Sequence, residues 1–203
     1  MSQEQPVKQR PTLTDQLRVR TRFLIDPVVE TLASFKLSPD LLTVLGFVTH
    51  LFFAYLIAIG EFRWAAVAIA VLSPLDALDG ALARKLGRKQ GGFGAFLDST
   101  LDRLAEIALY GGFMVYYYVE GNALMLAVAY LAATGSLMVS YARSRAEALG
   151  FEAKVGILSR VERYVVLIVF LALGMPQIAL PILAAFTYFT FFQRMYAVWK
   201  QSR

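Results

Sequence analysis

Four aspartates occur close together in residues 76–102, which read DALDGALARKLGRKQGGFGAFLDSTLD within a largely apolar chain. Asp76 and Asp79 are spaced i, i+3, so on a helix they share one face. Asp98 and Asp102 are spaced i, i+4 and share a face in the same way. Four facing anions repel one another unless cations lie between them, and hard divalent ions such as Mg²⁺ or Mn²⁺ prefer oxygen ligands. The spacing therefore predicts a divalent metal site.

Small residues accompany both aspartate pairs. Gly80 and Ala83 share the face of the first pair, and Gly94 lies one turn before the second. Small side chains let two helices approach closely and leave room for a ligand. Two-metal carboxylate sites commonly bind a phosphate or diphosphate while a P–O bond breaks. Such a transfer needs positioning, electrostatic stabilisation and one group that accepts the proton of the attacking hydroxyl.

The composition favours a membrane protein. Of the 203 residues, 58% are hydrophobic, and the mean hydropathy is +0.55, whereas soluble domains are nearer half apolar. The absence of cysteine excludes disulfides, thiolate metal sites and cysteine nucleophiles. Residues 1–12 are polar and lack the apolar core of a signal peptide, so we expect insertion through internal spans.

We predict an all-α integral membrane protein with six transmembrane helices. Each apolar stretch is near the about 20 residues that a bilayer requires, and the fifth is expected to begin somewhat earlier than its apolar part. The six stretches are residues 41–60, 64–86, 94–118, 123–146, 161–174 and 176–199. Pro74, in the second stretch, is expected to kink that span and open a cavity beside the aspartates.

The N-terminal part divides into a disordered tail, residues 1–11, and an amphipathic juxtamembrane helix, residues 12–36. Together with the spans, residues 12–203 are expected to form a single membrane domain. Arginines alternate with apolar residues in this helix, which favours a position on the membrane surface. Asp26-Pro27 is typical of a helix start. The alternative is a helix that packs on a soluble domain, although no such domain follows.

The distribution of positive charge predicts the orientation. With a cytoplasmic N-terminus, all 20 Lys and Arg residues except Arg63 and Arg103 fall on or next to the cytoplasmic side. The positive-inside rule then places both termini and the aspartate motif in the cytoplasm. We expect a multi-pass protein of the cell inner (plasma) membrane.

The aspartate stretch resembles the motif of a known family, the CDP-alcohol phosphotransferases (also called CDP-alcohol phosphatidyltransferases). The resemblance depends on residue type and spacing at Asp76, Asp79, Gly80, Ala83, Arg84, Gly94, Asp98 and Asp102. It implies that a CDP-linked lipid, CDP-diacylglycerol, donates its phosphatidyl group to an alcohol and that CMP leaves.

The same resemblance implies the roles of individual residues. Asp76, Asp79 and Asp98 bind two Mg²⁺ or Mn²⁺ ions, and Asp102 is both a ligand and the general base. The residues expected to bind the nucleotide or CDP-lipid are Asp40, Thr43, Gly80, Ala83 and Arg84. Ser38-Pro39 next to Asp40 is also a typical helix start, and an alternative for Arg84 is to extend to the membrane interface.

A basic cluster near the fourth and fifth spans concerns the acceptor. It consists of Arg143, Lys154, Arg160 and Arg163. Guanidinium groups pair well with phosphate oxygens, so an acceptor that carries its own phosphate is favoured. An alternative is that these residues meet lipid headgroups. The arrangement resembles the branch that makes phosphatidylinositol phosphate from inositol phosphate, or its archaeal ether-lipid counterpart; glycerol 3-phosphate is the alternative acceptor.

Two other classes of protein remain as alternatives. A divalent cation channel or transporter would place polar groups near the membrane midplane, often with repeats. A lipid-binding protein without catalysis would not need four aspartates in this register. The family resemblance also implies a homodimer, for which Gly111-Gly112 and Ala132-Ala133 offer small-residue surfaces. No nucleic acid partner is expected.

Overall fold

The computed structural model describes residues 22–35, 37–73, 76–87 and 92–203. These ranges contain eight α-helices and no strand, in agreement with the predicted all-α class. The helices are α1 (Arg22–Ser34), α2 (Pro39–Ala58), α3 (Phe62–Leu72), α4 (Asp76–Lys85), α5 (Phe93–Val119), α6 (Ala123–Ala148), α7 (Arg160–Ala172) and α8 (Pro176–Gln201).

Three helices, α2, α6 and α8, are both long enough and apolar enough to cross a membrane. Helix α5 has 27 residues, but its first half carries four charged side chains and is therefore less apolar. The stretch predicted as one second span, residues 64–86, contains two helices, α3 and α4. Pro74, the expected kink, lies outside the described residues. Helix α7, in the fifth stretch, has 13 residues and starts at Arg160, one residue before the predicted stretch.

Large apolar side chains cover much of the outer surface. Phe52, Trp64 and Tyr118 are 48%, 65% and 74% exposed. Exposed apolar surface on this scale is unfavourable in water, because burial of such side chains stabilises by about 1.5–3 kcal/mol each. It suits a protein whose outer faces contact lipid.

Two close helix crossings hold the bundle together. Gly112 on α5 lies against the backbone of Ala54 on α2, and a Cβ at Gly112 would overlap the Ala54 carbonyl oxygen. Gly135 on α6 lies against the side chain of Thr187 on α8, and a Cβ at Gly135 would overlap the Thr187 hydroxyl oxygen. Small residues allow such approaches between membrane helices.

The small-residue surfaces predicted for a dimer are partly wrong. Gly112 is used within the chain at the α2–α5 crossing, and Ala132 and Ala133 belong to the buried core. Only Gly111 of this group has open space beyond its Cα. A spacing of small residues indicates close packing but does not tell whether the partner helix belongs to the same chain.

Helix α1 packs against α4 and not on a separate domain. Val29 of α1 is buried with Leu78 and Leu82 of α4, and Glu30 pairs with Lys85 at 2.9 Å. The predicted helix start at Asp26-Pro27 is wrong, since α1 already includes Arg22 and Pro27 lies inside it. Residues 1–21, which contain the predicted tail and the first part of the juxtamembrane helix, lie outside the described residues.

Candidate active site

A pocket lies between α2, α4 and the first half of α5. The lining residues are Thr43, Gly46, Phe47, His50, Asp79, Asp98, Leu101, Asp102 and Ala105. Three of the four motif aspartates therefore face one space. The side chain of the fourth, Asp76, is not among those described; its backbone starts α4.

Asp79 is the most enclosed of these carboxylates, with 8% of its surface exposed. Its Oδ2 accepts a hydrogen bond from the Thr43 hydroxyl at 2.7 Å, and its Oδ1 accepts one from the Gly80 N–H at 2.5 Å. A buried carboxylate is costly unless it is paired or hydrogen-bonded. Thr43 and Gly80 thus hold the Asp79 side chain at one orientation from two sides.

Asp98 and Asp102 lie one turn apart on α5, as the i, i+4 spacing predicts. Asp102 forms an ion pair with Arg160, the first residue of α7. The guanidinium of Arg160 also lies over the ring of Tyr164, 5.7 Å from its centroid. A residue from the predicted basic cluster therefore reaches the predicted base directly.

His50 of α2 lines the pocket and is 1% exposed. Its Nε2 and the Tyr164 hydroxyl are 2.7 Å apart, and its Nδ1 lies 2.8 Å from the Gly46 carbonyl oxygen. Both ring nitrogens have partners, so the side chain is fixed between α2 and α7. As the single histidine of the chain within an apolar span, it was visible in the sequence, but its distance of 114 residues from Tyr164 hid the contact.

Arg163 has different partners from those expected for an acceptor-binding residue. It is 2% exposed, and its guanidinium pairs with Glu106 at 2.7 Å and donates to the Leu158 carbonyl oxygen at 3.2 Å. Glu106 is itself only 6% exposed. This buried ion pair joins α5 to α7 one helical turn beyond Asp102.

The remaining predicted residues are not among those that line the pocket. Arg84 approaches Gly80, since a Cβ at Gly80 would stand 3.4 Å from the Arg84 Nη1. Asp40 and Ala83 are half-buried on α2 and α4 but do not line the pocket. Arg143 donates to Glu147 at 2.8 Å, and Lys154 is exposed in the connection before α7. The structure thus brings Arg160 to the aspartates and leaves Arg143 and Lys154 outside the pocket lining.

The carboxylates fit a hard divalent cation by chemistry. Asp79, Asp98 and Asp102 offer only oxygen donors to one pocket, as Mg²⁺ and Mn²⁺ require. Among the side chains that the structure describes, no three acids or histidines are close enough together to hold an ion. Arg160 supplies the positive charge next to Asp102 in this arrangement.

The chain belongs to the CDP-alcohol phosphatidyltransferase family, whose model matches residues 36–197. It is therefore similar to enzymes that transfer a phosphatidyl group, as the motif resemblance implies. The archaetidylinositol phosphate synthase of Methanothermobacter thermautotrophicus is 36% identical over 196 residues, which cover 94% of this chain and 96% of that protein.

Solved structures of a bacterial relative have the same fold. The phosphatidylinositol phosphate synthase of Mycobacterium tuberculosis with CDP-DAG bound gives a TM-score of 0.77 at 27% identity, covering 85% of this chain and 92% of that one. The same enzyme in complex with manganese and citrate gives a TM-score of 0.79 at 27% identity, covering 85% and 88%. The relatives thus include one with the lipid nucleotide and one with a divalent metal.

Proposed function

We propose that this protein transfers a phosphatidyl group from CDP-diacylglycerol to the hydroxyl of inositol phosphate, which yields phosphatidylinositol phosphate and CMP. The observation that carries the proposal is the pocket lined by Asp79, Asp98 and Asp102, the last of which forms an ion pair with Arg160. Carboxylates suit a metal-bound diphosphate, and the arginine suits an acceptor that carries a phosphate. The names of the relatives support inositol phosphate as that acceptor.

In the proposed reaction, the donor binds along α4. Gly80, Ala83 and Arg84 lie on one helix beside the pocket, and Thr43 and Asp40 approach from the first turns of α2. Glycine at position 80 allows the diphosphate to approach the helix closely, and the Arg84 guanidinium lies beside it to neutralise phosphate charge. These contacts fix the position of the reacting phosphorus.

Asp102 accepts the proton of the acceptor hydroxyl in this proposal. The hydroxyl oxygen then forms the new bond to the β-phosphorus of the lipid nucleotide, while the bond from that phosphorus to the CMP oxygen breaks. Because phosphoryl transfer depends mostly on positioning and charge stabilisation, the fixed orientation of Asp79 matters as much as the base. When bound, two Mg²⁺ or Mn²⁺ ions on Asp76, Asp79, Asp98 and Asp102 neutralise the diphosphate charge.

Arg160 is our candidate for the acceptor phosphate, together with Arg143 and Lys154, which lie outside the pocket lining. The Arg160 guanidinium pairs with the Asp102 carboxylate. An incoming phosphate offers the guanidinium a second anionic partner and so delivers the acceptor beside the base. Arg163 was expected to bind the same phosphate, but its burial against Glu106 favours a role in holding α7 in place.

The membrane arrangement that we propose follows the distribution of charge. Six spans cross the cell inner membrane, with α3 and α4 together forming the second, and the pocket opens to the cytoplasm. The segment before α2 lies along the membrane surface. A homodimer then contacts through lipid-facing sides of the bundle and not through Gly112 or Ala132, which pack within the chain.

The proposal is tested by supplying purified protein with CDP-diacylglycerol and Mg²⁺ or Mn²⁺ and measuring CMP release. Inositol phosphate, free inositol and glycerol 3-phosphate are compared as acceptors. We expect release with inositol phosphate and its abolition by a chelator. Faster release with glycerol 3-phosphate would overturn the acceptor assignment, and no release with any alcohol would overturn the transferase proposal.

Arg160→Ala tests the acceptor site itself. We expect the KM for inositol phosphate to rise roughly 10- to 100-fold, as is typical when a charged hydrogen bond worth about 1.5–3 kcal/mol is lost, and the KM for the CDP-lipid to change much less. Arg145→Ala is the matched control, since Arg145 is exposed at the end of α6. Equal changes in both KM values would remove Arg160 from the acceptor site.

A further inference from the structure

The connection between α6 and α7, residues 149–159, contacts α8 at several points along the connection. It contains Lys154 and ends next to Arg160, the first residue of α7. The position of the connection therefore determines the positions of these two basic side chains. The connection has no helix of its own. Its backbone polar groups must therefore find partners outside regular secondary structure.

One attachment is a close contact between Gly156 and Thr190 of α8. Gly156 has a φ of +131°, which L side chains rarely adopt, and a Cβ there would overlap the Thr190 Cγ2. The next residue, Ile157, has its backbone N 3.4 Å from the Thr190 Oγ1. Thr190 is fully buried, so the connection lies directly over a packed part of α8.

Two more attachments flank the first. The Gln201 side chain pairs with the backbone of Glu152, accepting from its N–H at 2.9 Å and donating to its carbonyl oxygen at 2.6 Å. Arg194 donates to the carbonyl oxygens of Val155 at 3.0 Å and Val139 at 2.5 Å. Successive points of the connection are therefore fixed by residues 190, 194 and 201 of one helix.

We infer that α8 positions the acceptor-binding cations: Thr190 and Gln201 hold the 149–159 connection so that Lys154 and Arg160 face the phosphate of the acceptor. They are positioning residues, because they reach the site only through the connection. The inference rests on the proposed function. It gives a role in substrate binding to the one span in which the sequence shows no motif.

Gly156→Ala tests the inference, because the new methyl group collides with Thr190 and displaces the connection. We expect the KM for the acceptor phosphate, tested with inositol phosphate, to rise roughly 10- to 100-fold, as misplaced binding groups typically cause. The KM for CDP-diacylglycerol and the rate at saturating acceptor should change little. Adding Thr190→Ser removes the colliding Cγ2 but keeps the hydroxyl, and should restore most of the acceptor affinity.

Gly121→Ala is the control for an alanine at a positive φ away from the connection, since Gly121 has a φ of +68°, has open space around it and lies at the α5–α6 turn. It should leave both KM values unchanged. Equal shifts of the two KM values in Gly156→Ala, or no rescue by Thr190→Ser, would overturn the inference. Wild-type protein that releases no CMP with any acceptor would instead overturn the proposed function.

Discussion

The two ends of the α2–α5 pair differ although the same helices form both. At one end Gly112 lies on the backbone of Ala54, and Phe53, Ile57, Leu109 and Phe113 fill the surroundings with apolar side chains. At the other end Thr43 and His50 on α2 face Asp98 and Asp102 on α5 across a pocket. One end is closed by packing, and the other is open to a ligand.

The difference shows how a small membrane bundle can keep an open pocket lined with carboxylates. Close packing at the glycine end fixes the axes of α2 and α5, so that the other end need not be packed to stay in position. The polar end is then free to be lined with groups that need a ligand. Between the two ends, the buried Glu106–Arg163 pair joins α5 to α7.

The largest expected effect is a loss of activity in Asp102→Asn, which changes the open end. Loss of the general base should lower kcat roughly 10²- to 10⁴-fold. The thermal midpoint in detergent should fall only slightly, because the side chain keeps its size and the ion pair with Arg160 that it loses is partly exposed. CMP release at saturating substrates measures the effect. Asp26→Asn, on the exposed surface of α1, is the matched control and should retain activity. Normal turnover by Asp102→Asn would show that another group accepts the proton.

Arg163→Ala changes the boundary between the two ends. It leaves Glu106 as an unpaired buried charge, which should lower the free energy of unfolding by about 3–5 kcal/mol. Replacing both residues, as Arg163→Met with Glu106→Leu, should recover most of that loss because no buried charge remains. Denaturation in detergent measures both variants. If the single and double variants were equally unstable, the pair would not be what joins α5 to α7.

Gly112→Ala changes the closed end, with a smaller expected effect. The added methyl overlaps the Ala54 carbonyl oxygen and should push α2 and α5 apart, at a cost of about 1–3 kcal/mol in the free energy of unfolding. Gly111→Ala is the control on the adjacent residue. It meets nothing within 4 Å and should be neutral or stabilising by up to about 1 kcal/mol through helix propensity. If the two variants changed the free energy of unfolding equally, the close contact between Gly112 and Ala54 would not stabilise the bundle.

Much of the site was predictable from short-range spacing. The i, i+4 interval placed Asp98 and Asp102 on one face of α5, and the family resemblance implied that Thr43 lies beside the site. The aspartate motif also led to the family, which the family model confirms. Such features are predictable because helix geometry fixes the neighbours of a residue within a turn or two.

Other parts of the site were not predictable, because the contacts join residues far apart in the sequence. Arg160 and Arg163 are three residues apart and both basic, yet one meets Asp102 near the pocket and the other is buried with Glu106. The single span expected over residues 64–86 contains two helices, and Pro27 lies inside α1. Hydropathy reports how apolar a segment is, and not where its helix breaks.

The sequence by itself determined the chemical groups of this protein. They are carboxylates at helical spacing with small residues beside them, and basic residues near one end of the spans, all on largely apolar helices. Only the tertiary structure decided which cation reaches which carboxylate, and that α8 holds the connection before Arg160. The physical reason is that side-chain type and local spacing are encoded in consecutive residues. Partner choice, in contrast, depends on how separate helices cross.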